Sequence, residues 1–170
     1  MSGPNWGFEM KYSEARPQIK SGDVVAFAYK GMVNFGDFLI WFGRLFQITA
    51  WTHVGVVWCV GERVLIIDAV GSGVRDYPLG NTLPFYHLPR PNGLSAEQLA
   101  FALSKKGQKY SYWECILAWF RRNNPKNKSW QCAEFVCAVL NLDCQATPSA
   151  VVDFLMAEGS VCTLITGEKT

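Results

Sequence analysis

Two runs rich in β-branched residues, His53 to Val60 (H-V-G-V-V-W-C-V) and Arg63 to Val70 (R-V-L-I-I-D-A-V), are joined by Gly61-Glu62 and constrain the fold more than any other feature of the chain. Runs of that composition around a tight Gly-containing turn predict a β-hairpin of two core strands. Pairing Val60 with Arg63 sets Gly55 opposite Asp68 and leaves His53 near the strand end. A third apolar run, Val24 to Tyr29, follows Gly22-Asp23 and reads as another buried strand. Gly71-Ser72-Gly73 reads as a flexible turn, and Val74 to Leu79 and Pro84 to Leu88 read as extended segments ending at Pro89 and Pro91.

Beyond Gly93 the period becomes helical. Ser95 with Gln98 three residues later forms a capping box ahead of Leu99, Phe101, Ala102 and Leu103, and Gly107 closes that helix. Tyr112 to Arg122 is a second helix, stopped by Asn123-Asn124-Pro125. Ser129 precedes a third, Trp130 to Leu142, and Thr147-Pro148 opens a fourth through Ala157. Strands followed by helices indicate an α+β fold, one domain over residues 1–170 with residues 1–20 as a polar lead-in. Phe35 to Ala50 carries Asp37, Arg44 and Gln47 among large apolar residues, too short and too charged to span a bilayer. It reads as an amphipathic helix on the core. The alternative sets Phe38, Trp41, Phe42 and Phe46 against a lipid or substrate surface, so that Phe35 to Ile48 contacts a membrane.

Composition removes several function classes. Hydrophobic residues make up 49% and charged residues 18%, a balance that argues against disorder. A net charge of +2 is too small to make nucleic acid or an anionic membrane the default partner. The basic bias from Lys105 to Lys128 reads as solvated helix ends and loops. The six cysteines, Cys59, Cys115, Cys132, Cys137, Cys144 and Cys162, include no C-x-x-C pair and accompany only two histidines, so no metal site is expected and no cofactor is implied. They read as reduced and mostly buried. Met1 to Lys20 has no apolar h-region, which predicts a protein that stays in a cytoplasm or is released without a signal peptide.

One cysteine stands apart. Cys132, in S-W-Q-C-A-E-F-V, falls on the first turn of a helix, where unpaired amides and the helix dipole favour a negatively charged sulfur. Cys59, Cys115 and Cys137 sit inside an apolar strand or mid-helix and suit packing. A cysteine nucleophile needs a base, and His53 and His87 are the two histidines. His53 opens an apolar strand, an expensive place for an imidazole without a partner. His87, near three prolines, reads as structural. Asp68, a carboxylate within L-I-I-D-A-V, adjoins the His53 strand through the hairpin and could hold the base in one tautomer. Glu134 reads as a structural residue of the helix start.

Taken in order, G-D-V-V-A-F, T-H-V-G-V-V, I-I-D-A-V-G-S-G-V-R-D-Y-P-L, Q-C-A-E-F-V and T-P-S-A-V-V-D-F-L resemble the circularly permuted NlpC-type papain-fold cysteine hydrolases of the bacterial YiiX group, related to lecithin-retinol-acyltransferase-like proteins. The similarity runs from about Gly22 to Leu155. It implies an antiparallel sheet from the N-terminal half packed on helices from the C-terminal half. It further implies Cys132 as nucleophile, His53 as base and Asp68 as the third polar residue. Asp68 stands where relatives usually carry the longer glutamate, and Gln131 where they often carry tyrosine; its amide is a candidate oxyanion donor. The implied activity is that of a cysteine peptidase or amidase acting on peptide-like substrates such as cell-wall stem peptides. The alternatives are a lipid acyl hydrolase or acyltransferase and a catalytically silent binding or structural module.

Overall fold

A computed structural model describes residues 8–28, 51–109 and 130–167. The expected helices over Phe35 to Ala50 and Tyr112 to Arg122, and with them Cys115, lie outside the described residues. Within them the chain is mixed α+β, with seven strands and four helices. In chain order these are β1 (Glu9–Lys11), α1 (Tyr12–Ala15), β2 (Val24–Ala28), β3 (Trp51–Val60), β4 (Arg63–Val70), β5 (Gly73–Pro78), β6 (Phe85–Leu88), α2 (Ala96–Ser104), α3 (Cys132–Leu140), α4 (Pro148–Ala157) and β7 (Thr163–Thr166). Among the described residues, no helix is long and apolar enough to cross a membrane.

The strands form one sheet in the order β1-β7-β6-β2-β3-β4-β5. The β3–β4 hairpin pairs Val60 with Arg63 and keeps that register through Val56 and Ile67, as the Gly61-Glu62 turn predicts. Two features depart from the expected arrangement. The sheet is not purely antiparallel, because β1 runs parallel to β7, and it is not built from the N-terminal half alone. The C-terminal β7 pairs with β6, setting Ile165 against Phe85, and fills what would otherwise be an open edge with unpaired backbone groups. The polar lead-in is correspondingly structured: it supplies β1 and α1.

Both faces of the central strands are covered, which is why β3 and β4 read as nearly continuous apolar runs. Val24, Val54, Val56 and Ile67 belong to a core shared with Phe135 and Val136 of α3 and Val151 and Leu155 of α4. Their neighbours in the strand, Val25, Val57 and Ile66, join Ala15, Ile19, Leu79, Phe85 and Ile165 in a second cluster. Alternating side chains of one strand thus serve two separate cores.

The helix boundaries follow their caps. Ser95 Oγ accepts the Gln98 amide at 3.1 Å and Gln98 Oε1 accepts the Ser95 amide at 3.0 Å, which starts α2. Thr147 Oγ1 accepts the Ala150 amide at 3.3 Å ahead of Pro148 and starts α4. The third helix is shorter than predicted at both ends. Trp130 is not helical; its amide donates to the Lys109 carbonyl at 3.0 Å and its indole to Gln108 Oε1 at 2.7 Å. At the other end Asn141 adopts a left-handed conformation, φ 54°, that stops α3 at Leu140.

Gly55 is the tightest point of the hairpin. A Cβ there would lie 2.6 Å from Ile66 Cδ1 and 3.1 Å from Asp68 Cβ, so the space over Gly55 is filled by the side chains of β4. Gly55→Ala is expected to lower stability by about 1–3 kcal/mol through overpacking, read by urea denaturation. A loss below about 0.5 kcal/mol would show that the strands are not packed this closely.

Candidate active site

The site begins at an irregularity in β3. Phe27 pairs with His53 and Ala28 with Trp51, so Thr52 is an extra residue, the two-against-one count of a β-bulge. Thr52 Oγ1 donates to the Phe27 carbonyl at 3.1 Å. The bulge aims His53, whose ring leans on Phe27 with centroids 5.5 Å apart. The imidazole is 21% exposed, and its Nε2 lies 2.7 Å from Asp68 Oδ2.

Asp68 is fully buried, and a buried carboxylate needs partners. Three come from the neighbouring strands. His53 lies diagonally across the hairpin on β3. On β5, Tyr77 donates its hydroxyl to Asp68 Oδ2 at 2.8 Å. Arg75, paired with Asp68 in the ladder, brings its Nε to 3.6 Å from Oδ1, which has no hydrogen-bond partner among the described residues, while its guanidinium stacks 4.3 Å over the Tyr77 ring. Burial and the Asp68 charge push the Tyr77 hydroxyl up, so it stays a donor. Sequence reasoning missed Tyr77 and Arg75. The signal for them is their i, i+2 spacing, which places both on the Asp68 face once the Gly71-Ser72 turn pairs Val70 with Gly73.

Cys132 is the first residue of α3 and is 4% exposed. Its position is fixed by Gln131, whose amide N–H donates to Glu134 Oε2 at 3.4 Å and whose side-chain amide donates to the Ala146 carbonyl. Gln131 therefore ties the helix start to the turn before α4. It is a bracing residue, and Glu134 is a cap, as expected. The remaining donors near the sulfur are the first-turn backbone amides, which have no acceptor within their own helix.

The sulfur and the imidazole interact. Burial works against a charged ring, but it is outweighed by the negative charge of a deprotonated Cys132, by hydrogen bonds to Asp68 and Cys132, and by the Asp68 charge, so the His53 pKa rises from 6.5 to about 10. Cys132, His53 and Asp68 are thus brought together. His87 is elsewhere: its Nε2 lies 2.7 Å from Asp23 Oδ2, and Asp23 also accepts the amides of Lys20 at 2.8 Å and Arg90 at 2.9 Å. Of the other described cysteines, Cys162 is buried, with its thiol pushed up to about 11, while Cys59, Cys137 and Cys144 are only half-buried, more exposed than the sequence predicts. Among the described residues no group of three or more His, Cys, Asp or Glu is placed to hold a metal ion.

In Cys132→Ser the largest contribution that raises the His53 pKa disappears. The imidazole midpoint, followed by NMR with His87 as internal reference, is expected to fall from about 10 by about one unit or more. A midpoint unchanged by the substitution would place the sulfur too far from the ring to matter.

No protein-family model matches the chain, and no curated protein matches it. Among solved structures it is similar to metalloprotein yiiX from Escherichia coli O157:H7, DUF1105, with a TM-score of 0.52 and 19% identity, over 72% of this chain and 64% of that one. The chain therefore spans less than two thirds of that protein's length. At this identity the likeness concerns the fold: the seven-stranded sheet and its helices form a YiiX-like α+β architecture.

Proposed function

We propose that the chain is a cysteine-dependent acyl hydrolase with Cys132 as nucleophile, His53 as general acid and base, and Asp68 as the group that orients the imidazole. The observation that carries this reading is the double engagement of His53, held at 2.7 Å by Asp68 on one side and interacting with Cys132 on the other. A nucleophile, a base within its reach and a third group fixing the base make up the general arrangement for thiol acyl transfer. The chain order of histidine strand, aspartate strand and cysteine helix is that of a permuted papain-like fold, and the YiiX-like architecture supports it.

On this reading the Cys132 sulfur attacks a carbonyl carbon while its proton is held by His53. The oxyanion forms beside the backbone amides of Cys132 and Ala133 at the start of α3. His53 then protonates the leaving nitrogen or oxygen, leaving an acyl thioester. Water enters, gives a proton to His53 and cleaves the thioester, which releases the acid and restores the thiol. Asp68 keeps the ring in one orientation; Tyr77 and Arg75 hold Asp68 in its buried position.

The structural neighbour is called a metalloprotein. The residues here do not make up a metal centre: among the described residues no group of three or more His, Cys, Asp or Glu is placed to hold a metal ion.

Peptide-like amides are the proposed substrates, with cell-wall stem peptides first. Incubation with peptidoglycan fragments and, in parallel, phospholipid vesicles, read by mass spectrometry, separates amide from lipid ester cleavage. Hydrolysis of the peptide fragments is expected, reduced about 10³-fold or more in Cys132→Ala. Asp68→Asn should lower kcat by about 10²- to 10⁴-fold with a smaller effect on KM. Products from vesicles alone would overturn the substrate class, and activity surviving in Cys132→Ala would overturn the mechanism.

A further inference from the structure

The Cys137 and Cys144 sulfurs lie 3.4 Å apart, seven residues from each other in the chain and outside the site built around Cys132. Cys137 is on the last turns of α3; Cys144 is in the connection to α4. The backbone brings them together for a reason visible in the cap. The Cys137 carbonyl accepts the amides of both Asn141 and Leu142, the latter at 3.0 Å, and Asn141 in its left-handed conformation turns the chain back along the helix. The returning segment reaches Cys144 and then Ala146, whose carbonyl holds the Gln131 side chain next to Cys132. Both thiols are only half-buried, so small oxidants can reach them.

We propose that Cys137 and Cys144 form a redox modification site, a dithiol that a hydroperoxide converts to an intramolecular disulfide clamping the α3–α4 turn. The two thiols are unlike. Either sulfur can donate the hydrogen bond between them, which favours a thiolate on its partner; Cys144, in the connection rather than within the helix, is the attacking sulfur. Its thiolate displaces hydroxide from hydrogen peroxide and becomes a sulfenic acid. The Cys137 sulfur then attacks the sulfenic sulfur, a water molecule leaves with the Cys137 proton, and the S–S bond forms. Two thiols lose two hydrogens and two electrons, and one peroxide is reduced to two waters. The disulfide ties the far end of α3 to the segment that braces its start, so the modification secures the position of Cys132 without consuming it.

Hydrogen peroxide is the probe. After treatment, remaining thiols are alkylated and the protein is cleaved after Glu134 and Glu158 and before Asp143, which puts Cys132, Cys137, Cys144 and Cys162 on separate fragments. The Cys137 and Cys144 fragments are expected to be joined, two hydrogens lighter than their sum, and separated again by a reductant. In Cys144→Ser, Cys137 should remain available to the alkylating agent. Failure of the two fragments to join in the wild-type chain, or joining of either to the Cys132 fragment instead, would overturn the proposal.

Discussion

A carboxylate with no exposure to water, Asp68, is the constraint around which the hairpin region is organised. Removing one partner of a buried charge typically costs about 3–5 kcal/mol, so the surrounding strands are bound to supply compensation. The ladder does this by register: β3 offers His53, and β5 offers Tyr77 and Arg75. Gly55, with no side chain of its own, leaves room beside Asp68 for the Ile66 side chain. The same carboxylate that must be satisfied for the fold to be stable is therefore the one that holds the imidazole facing Cys132. In the proposed function, stability and chemistry share one group.

The chain contains a second histidine–aspartate pair with the same 2.7 Å separation, and the contrast shows what distance alone does not decide. Asp23 divides its oxygens among His87 and the backbone amides of Lys20 and Arg90, and so pins the turn before β2 to the end of β6. Among the described residues the partners of Asp68 are side chains, and beyond its histidine lies a sulfur at a helix start. The first pair is a structural clasp. The second has an imidazole with a remaining nitrogen and a group to act on.

What could be read from the sequence was what is encoded locally. The Gly61-Glu62 turn sets the β3–β4 register, and Ser95-Gln98 and Thr147-Pro148 mark helix starts, because each depends on residues a few positions apart. The three residues of the candidate site stand out in the sequence for the same reason: each is chemically out of place in an apolar strand or well placed on a helix start. Long-range features were not. The T-L-I-T of β7 is too short to carry a period, and its pairing with β6 depends on an edge formed some eighty residues earlier. The start of α3 was misplaced because Trp130 is held by Gln108 and Lys109, partners that its local sequence does not reveal. Tyr77 and Arg75 gain their meaning only when β5 pairs with β4, and the extra residue Thr52 only when β3 meets β2.

The central claim is that His53 activates Cys132. It is tested most directly by the rate of iodoacetamide alkylation at neutral pH, resolved for each of the six cysteines in the wild-type chain and in His53→Ala and His87→Ala. Cys132 should be alkylated well before the other five, more slowly in His53→Ala by about tenfold or more, and at an unchanged rate in His87→Ala. Alkylation of Cys132 no faster than its neighbours, or a larger loss in His87→Ala than in His53→Ala, would contradict the account.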